Sequence, residues 1–232
     1  MKAFERIYVA LDTTDVSYAV ELAQKLKGLV GGMKVGKEFF TANGPQGVAA
    51  IRDVGMPVFL DLKFHDIPNT VAGAIRAAKP IAPQIINVHA QGGPEMLKQA
   101  ANAGRDAGIP LTIAVTILTA LDQEDLNAIG VNDNIEDQVV RLAKLTQDNG
   151  LDGVVCSAKE IAPIRAACGP DFRLIVPGIR PAWAAKGDQK RVMTPRDAVI
   201  AGADILVIGR PITQADDPVE AAQKIAHELE GL

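Results

Sequence analysis

Pro57-Val58-Phe59-Leu60-Asp61-Leu62-Lys63-Phe64 is an apolar run that ends in charge. A short polar turn follows, His65-Asp66-Ile67-Pro68-Asn69-Thr70, and an alanine-rich stretch of helical periodicity begins at Val71. Read as a strand with period two, Val58, Leu60, Leu62 and Phe64 share one side, which leaves Phe59, Asp61 and Lys63 together on the other. A carboxylate and an ammonium therefore project into one space beside a core strand. Burying either alone is costly, and a structural ion pair is the plainest account of the segment by itself. One strand followed by one helix is also the unit from which the rest of the chain is built.

Working outward, β-branched runs recur at 6–12, 29–35, 58–64, 85–90, 111–118, 153–157, 173–178 and 205–210. Between them lie stretches of helical periodicity, among them 16–26, 71–78, 95–107, 135–149, 159–167, 195–201 and 218–229. Asp15, the Gly92-Gly93-Pro94 turn and Thr194-Pro195 are fitting helix starts, and Gly28, Gly108, Gly150 and Gly202 punctuate helix ends. Eight strand-helix units in 232 residues predict an α/β fold, a (β/α)8 TIM barrel forming one catalytic domain over 1–232. An open doubly wound sheet would more often use fewer strands and a GxGxxG after the first, whereas Leu11-Asp12-Thr13-Thr14 stands there. Gly31, Gly32 and Gly36 read as room for close backbone approach.

The chain is 48% hydrophobic, with a formal net charge of -4 and a pI near 5.4. With no basic tract, this argues against nucleic acid or an anionic membrane as the main partner. The most apolar run, 109–121, is too short and threonine-rich to span a bilayer, so a soluble cytoplasmic protein is expected. Cys156 and Cys168 lack metal-ligand spacing and read as reduced structural thiols.

In such a barrel the chemistry lies at the C-terminal ends of the strands. Those ends are polar here: Asp12, Lys34, Asp61 with Lys63, Asn87 with His89, then Thr116 and Thr119. Each has a bland explanation, a helix cap for Asp12 or a satisfied core histidine for His89, but two lysines and two aspartates at one mouth suggest a preorganised charge array. Strands seven and eight end in Pro177-Gly178-Ile179-Arg180 and Gly209-Arg210-Pro211, where barrels commonly hold phosphate between backbone N–H groups and a guanidinium. Segment 181–192, with Trp183, Gly187, Gln189, Lys190 and Arg191, has no periodic apolar face and suggests a lid.

These residues resemble the orotidine 5′-monophosphate decarboxylase family over essentially the whole chain. Its aspartate-x-lysine-x-x-aspartate signature stands here as Asp61, Lys63 and Asp66, followed by Ile67-Pro68-Asn69-Thr70, with Asp12, Lys34, Thr119, Arg180, Gln189 and Gly209-Arg210 in the family's order. The signature is shared with 3-keto-L-gulonate 6-phosphate decarboxylase, a relative whose second strand offers an acidic metal ligand; Lys34 occupies that place here. The resemblance implies decarboxylation of orotidine 5′-monophosphate to uridine 5′-monophosphate, without cofactor or metal. It further implies a homodimer with active sites at the interface, Asp66 and Thr70 coming from the neighbouring chain. Lys63 would stabilise the C6 carbanion and protonate it. Asp61 would sit beside the substrate carboxylate, and Asp12 and Lys34 would hold ribose hydroxyls and the charge array. Thr119 would lie near the pyrimidine, Pro177 would contact the substrate, and Arg180, Gln189, Gly209 and Arg210 would bind or close over the phosphate.

Two rival readings use the same barrel. A metal-dependent sugar-phosphate epimerase could draw ligands from His65, His89, Asp12 and Asp61, but Lys34 and Lys63 would place cations beside the metal. A non-catalytic nucleotide-binding barrel would be expected to lack a reacting lysine or aspartate, and both are present.

Overall fold

A computed structural model describes residues 1–184 and 193–232. Eight parallel strands close into a barrel in chain order: β1 (Ile7–Leu11), β2 (Gly32–Gly36), β3 (Val58–Phe64), β4 (Ile85–His89), β5 (Leu111–Val115), β6 (Gly153–Val155), β7 (Arg173–Pro177) and β8 (Ile205–Ile208). Closure is made by β1 on β8, with Tyr8 opposite Val207 and Val9 opposite Ile208. The (β/α)8 barrel expected from the sequence is the fold observed. Several strands stop short of their predicted ends, β5 at Val115 and β8 at Ile208.

Period-two alternation divides the apolar residues between two cores. Tyr8, Ala10, Phe59, Ile85, Ile113, Ile175, Ile205 and Val207 fill the barrel interior. Val58 and Leu60, with Leu62 and Phe64 against them, face outward into the larger core between sheet and helices. The side of β3 that carries Phe59 is thus the inside, and Asp61 and Lys63 follow it there. Gly31 and Gly32 serve the close approach expected of them: a Cβ on Gly31 would stand 2.1 Å from the Glu5 carbonyl oxygen, and one on Gly32 2.5 Å from the Tyr8 ring.

The outer layer is α1 (Val16–Leu26), α2 (Lys37–Asp53), α3 (Pro68–Ala77), α4 (Gly93–Ala107), α5 (Gln123–Ala128), α6 (Ile135–Asp148), α7 (Ile161–Cys168), α8 (Pro195–Ala201), α9 (Arg210–Thr213) and α10 (Pro218–Glu228). Asp15 caps α1 by accepting from the Tyr18 N–H, and Thr194 caps α8 by accepting from the Asp197 N–H. The sequence reading did not single out α2. Its periodicity is broken by Gly44, at φ 60°, and by Pro45, where two helical pieces meet at a kink. Among the described residues, no helix is long and apolar enough to cross a membrane.

The lower end of the barrel is tied by Arg165. Its guanidinium donates to the carbonyls of Gly169, Pro170, Phe172 and Gly202 and pairs with Asp204 at 2.8 Å, joining the segments that lead into β7 and β8.

Candidate active site

At the C-terminal mouth lies a cavity of about 270 Å³. One wall is charged, formed by Asp12 beyond β1, Lys34 on β2, and Asp61 and Lys63 on β3. Phe59, Val115, Ile117, Val155 and Val207 supply an apolar floor and side. Thr119 stands in the loop after β5, and Pro177, Gly178, Arg180, Gly209 and Arg210 complete the β7 and β8 side.

Asp61 is the centre of the charge array. Its Oδ1 lies 2.5 Å from Lys63 Nζ and accepts from Asn87 Nδ2 at 2.7 Å, while Oδ2 lies 3.5 Å from Lys34 Nζ. Lys34 also reaches Asp12 Oδ1 at 3.5 Å. Lys34 and Asp61 are almost enclosed, Lys63 is about one quarter exposed, and the Asp12 side chain is open to solvent. A carboxylate between two ammonium groups satisfies the requirement that buried charge be paired.

The backbone of Lys63 is held at φ 54°, in the left-handed region that side chains other than those of glycine, asparagine and aspartate seldom occupy. The β3–β4 register shifts at this place: Leu60 pairs with Ile86 but Phe64 with Val88. Four residues of β3 therefore advance against two of β4, which is the geometry of an irregularity that re-aims a side chain. The Lys63 N–H leaves the ladder and donates to Asn87 Oδ1 at 2.8 Å.

On the β8 side, Gly209 leads into α9, and Pro211 lies in its first turn, as the sequence suggested. Gly178 is at φ 77°, a conformation that favours glycine, and turns the chain so that Arg180, itself buried, lines the cavity. The Arg180 N–H donates to the Met193 carbonyl. Gln189 and most of segment 181–192 lie outside the described residues. Trp183, at its start, is half exposed and donates its indole N–H to Glu228 at 3.2 Å.

Of the residues predicted from sequence, Asp12, Lys34, Asp61, Lys63, Thr119, Pro177, Arg180, Gly209 and Arg210 meet in this one cavity. Asp66 and Thr70 do not line it: they are exposed, Asp66 in the turn after β3 and Thr70 in the first turn of α3. Thr116 is turned to structure, its hydroxyl donating to the Val155 carbonyl. His89 is half-buried, with its ring 5.6 Å from that of His65. Its pKa is pushed down to about 4, first by burial and then by the neighbouring His65, Lys37 and Lys63. Sequence reading noted Asn87 but gave it no role; the signal was there in Ile85-Ile86-Asn87-Val88-His89, whose alternation puts the amide on the interior side with Ile85. Among the described residues, no group of three or more histidine, cysteine, aspartate or glutamate side chains could hold a metal ion.

The chemical capacity of the cavity follows from these positions. Two guanidinium-bearing residues beside loop N–H groups suit a phosphate. The apolar floor suits a flat ring, and the ammonium groups on the far wall suit negative charge developing on that ring.

The family described as Orotidine 5'-phosphate decarboxylase / HUMPS matches residues 5–225. Curated relatives named orotidine 5′-phosphate decarboxylase include one from Paramagnetospirillum magneticum, 53% identical over 96% of this chain and 97% of the relative. Another, from Rhodospirillum rubrum, is 53% identical over 97% of this chain and 94% of its own length. The crystal structure of orotidine 5′-phosphate decarboxylase from Lactobacillus acidophilus superposes with a TM-score of 0.86 at 35% identity, covering 97% of this chain and 99% of that one. With the barrel, the Asp61–Lys63 pair and near full-length similarity in agreement, this chain belongs to the orotidine 5′-phosphate decarboxylase / HUMPS family.

Proposed function

We propose that the chain converts orotidine 5′-phosphate to uridine 5′-phosphate and CO2, the last step in making the pyrimidine nucleotide. The observation that carries this reading is the Lys34–Asp61–Lys63 array on the wall of an apolar cavity whose other side carries Arg180 and Arg210.

When the bond from C6 to the carboxylate breaks, the electron pair stays on C6 in the plane of the ring, where the π system cannot delocalise it. Stabilisation must therefore come from charge placed in advance. Lys63 is that charge, and it then transfers a proton from Nζ to C6, leaving a neutral amine and the product. Asp61 stands where it would face the substrate carboxylate, and departure of CO2 relieves that repulsion. Lys34 holds Asp61 from its second oxygen and, with Asp12, meets the ribose hydroxyls. Thr119 lies at the pyrimidine edge. Pro177 lines the substrate cavity, and Arg180, Gln189, Gly209 and Arg210 take the phosphate, whose binding energy helps organise the site.

No metal or other cofactor enters this scheme. Both oxygens of Asp61 are occupied by lysines and by Asn87, which leaves that carboxylate poorly placed as a metal ligand. This observation weighs against the metal-dependent decarboxylase and epimerase readings. The active unit is a homodimer in which Asp66 and Thr70 of each chain complete the partner's site; both are exposed beside the mouth, and Ile67 between them is 66% exposed. The enzyme would act in the cytoplasm, as suits a biosynthetic reaction of a charged nucleotide.

The test is genetic: the chain should restore growth without added pyrimidine to a bacterial strain lacking its own orotidine 5′-phosphate decarboxylase. Normal expression with no growth would reject the proposal.

A further inference from the structure

We infer that Asn87 is a positioning residue for the decarboxylation proposed above, on which this inference rests: its amide fixes the backbone of Lys63 and the carboxylate of Asp61 with one group. Asn87 is fully buried on the interior side of β4, does not line the cavity, and joins the two reacting residues across the β3–β4 irregularity. Its Oδ1 accepts from the Lys63 N–H at 2.8 Å, and its Nδ2 donates to Asp61 Oδ1 at 2.7 Å.

The two partners dictate the side chain. A backbone N–H can only donate and an ionised carboxylate can only accept, so the bridging group must offer an acceptor and a donor at once. The same requirement settles which way round the amide sits. Lys63 needs such a clamp because its left-handed backbone is unfavourable for a lysine, and its N–H has no strand partner at the register shift. Asp61 Oδ1 receives Asn87 and Lys63 Nζ together, so the amide also fixes which way that oxygen faces the ammonium. Without Asn87, Lys63 keeps its charge but is released to relax toward an ordinary backbone conformation, carrying Nζ away from C6.

The charged and titratable groups around Asn87 are Asp61 and Lys63 on β3, Lys34 on β2, and His89 two residues along its own strand, with His65 beside it. Asn87→Asp makes use of this setting. Its carboxylate would still accept from the Lys63 N–H, but it would meet Asp61 with like charge instead of a donor. Once protonated, it would offer Asp61 an O–H in place of the amide N–H. Burial and the Asp61 carboxylate raise the pKa of the new group while the Lys34 and Lys63 ammonium groups lower it, and in either case the donor returns as pH falls through that pKa.

The experiment compares kcat, KM and uridine 5′-phosphate affinity for the wild type, Asn87→Leu and Asn87→Asp across the pH range in which the wild type is folded. Displacing Lys63 by about an ångström should lower kcat of Asn87→Leu about 10²-fold, with product affinity kept within about threefold. The kcat ratio of Asn87→Asp to wild type should rise as pH falls. Should Asn87→Leu fail to fold, the pH trend of Asn87→Asp decides alone. Variants with kcat within about threefold of the wild type overturn the inference. So does a loss shared equally by kcat and product affinity with a pH-independent Asn87→Asp ratio, which would mark Asn87 as structural only. A wild type that fails to decarboxylate defeats the functional reading itself, and is thereby told apart from an inert Asn87.

Discussion

Lys63→Ala should remove decarboxylation while leaving the fold and product binding nearly intact. The fold should survive because deletion of the ammonium leaves no stranded charge: Asp61 keeps Lys34 Nζ at 3.5 Å and Asn87 Nδ2 at 2.7 Å. The backbone adds little, since alanine bears about the same left-handed cost at φ 54° as lysine does. Lys63→Gly, for which that conformation is free, should be more stable than Lys63→Ala by roughly 1 kcal/mol and equally inactive. The catalytic loss is set by charge. An ammonium about 3 Å from the C6 electron pair, at an effective dielectric near 20, is worth about 5 kcal/mol, or about 10⁴-fold in rate. Loss of the proton donor contributes a further factor of about 10² to 10⁴. The expected fall in kcat is thus about six to eight powers of ten, with uridine 5′-phosphate affinity changed by less than about tenfold, because the charge being stabilised is absent from the product. The assay follows loss of orotidine 5′-phosphate absorbance in protein made in a host lacking the endogenous enzyme, with product titration by calorimetry. A variant retaining a tenth of wild-type kcat would refute the role of Lys63, and a parallel loss of product binding would refute its confinement to the transition state.

Mixing inactive Lys63→Ala and Asp66→Ala subunits should restore part of the activity, since a heterodimer has one wholly wild-type site and one doubly damaged site. No recovery, with heterodimer verified by native mass spectrometry, would remove Asp66 from the partner's site. Arg210→Ala should weaken nucleotide binding by one to three powers of ten, about the effect of losing charge-assisted hydrogen bonds to phosphate, and should hardly alter the poorer reaction of orotidine. Equal losses on both substrates would place Arg210 elsewhere. His89, with its pKa lowered from 6.5 to about 4, stays neutral in the folded chain while the unfolded chain takes up its proton. The stabilising contribution is therefore fully present above about pH 6.5 and lost as pH falls toward about 4, and His89→Gln should flatten the decline of the urea midpoint over that interval. Equal declines in both proteins would count against it.

The barrel was legible because each strand carries its own evidence. In β3 the alternation that sends Leu60 outward and Phe59 inward also fixes where Asp61 and Lys63 point. The phosphate side could be read for a similar reason, since Gly209-Arg210-Pro211 encodes a turn, a cation and a helix start in adjacent residues. Long-range pairing is what local pattern cannot give. Nothing within β4 says that Asn87 will meet Lys63, because their contact depends on a register shift between two strands. The kinked α2 escaped notice because Gly44-Pro45 interrupts the periodicity by which helices are recognised. Asp66 and Thr70 mark a different boundary: one chain, however well folded, shows them exposed, and the role proposed for them depends on a second copy.

In the proposed mechanism the protein's own lysines, not a bound cation, drive loss of CO2 from orotidine 5′-phosphate. The direct measurement is the yield of CO2 and uridine 5′-phosphate from that substrate after exhaustive chelation, with the metal content of the same sample determined in parallel. The predicted result is one CO2 and one uridine 5′-phosphate per substrate consumed, at a rate unchanged by chelation or by added Mg2+. No turnover, or turnover that disappears on chelation and returns with Mg2+, would contradict it.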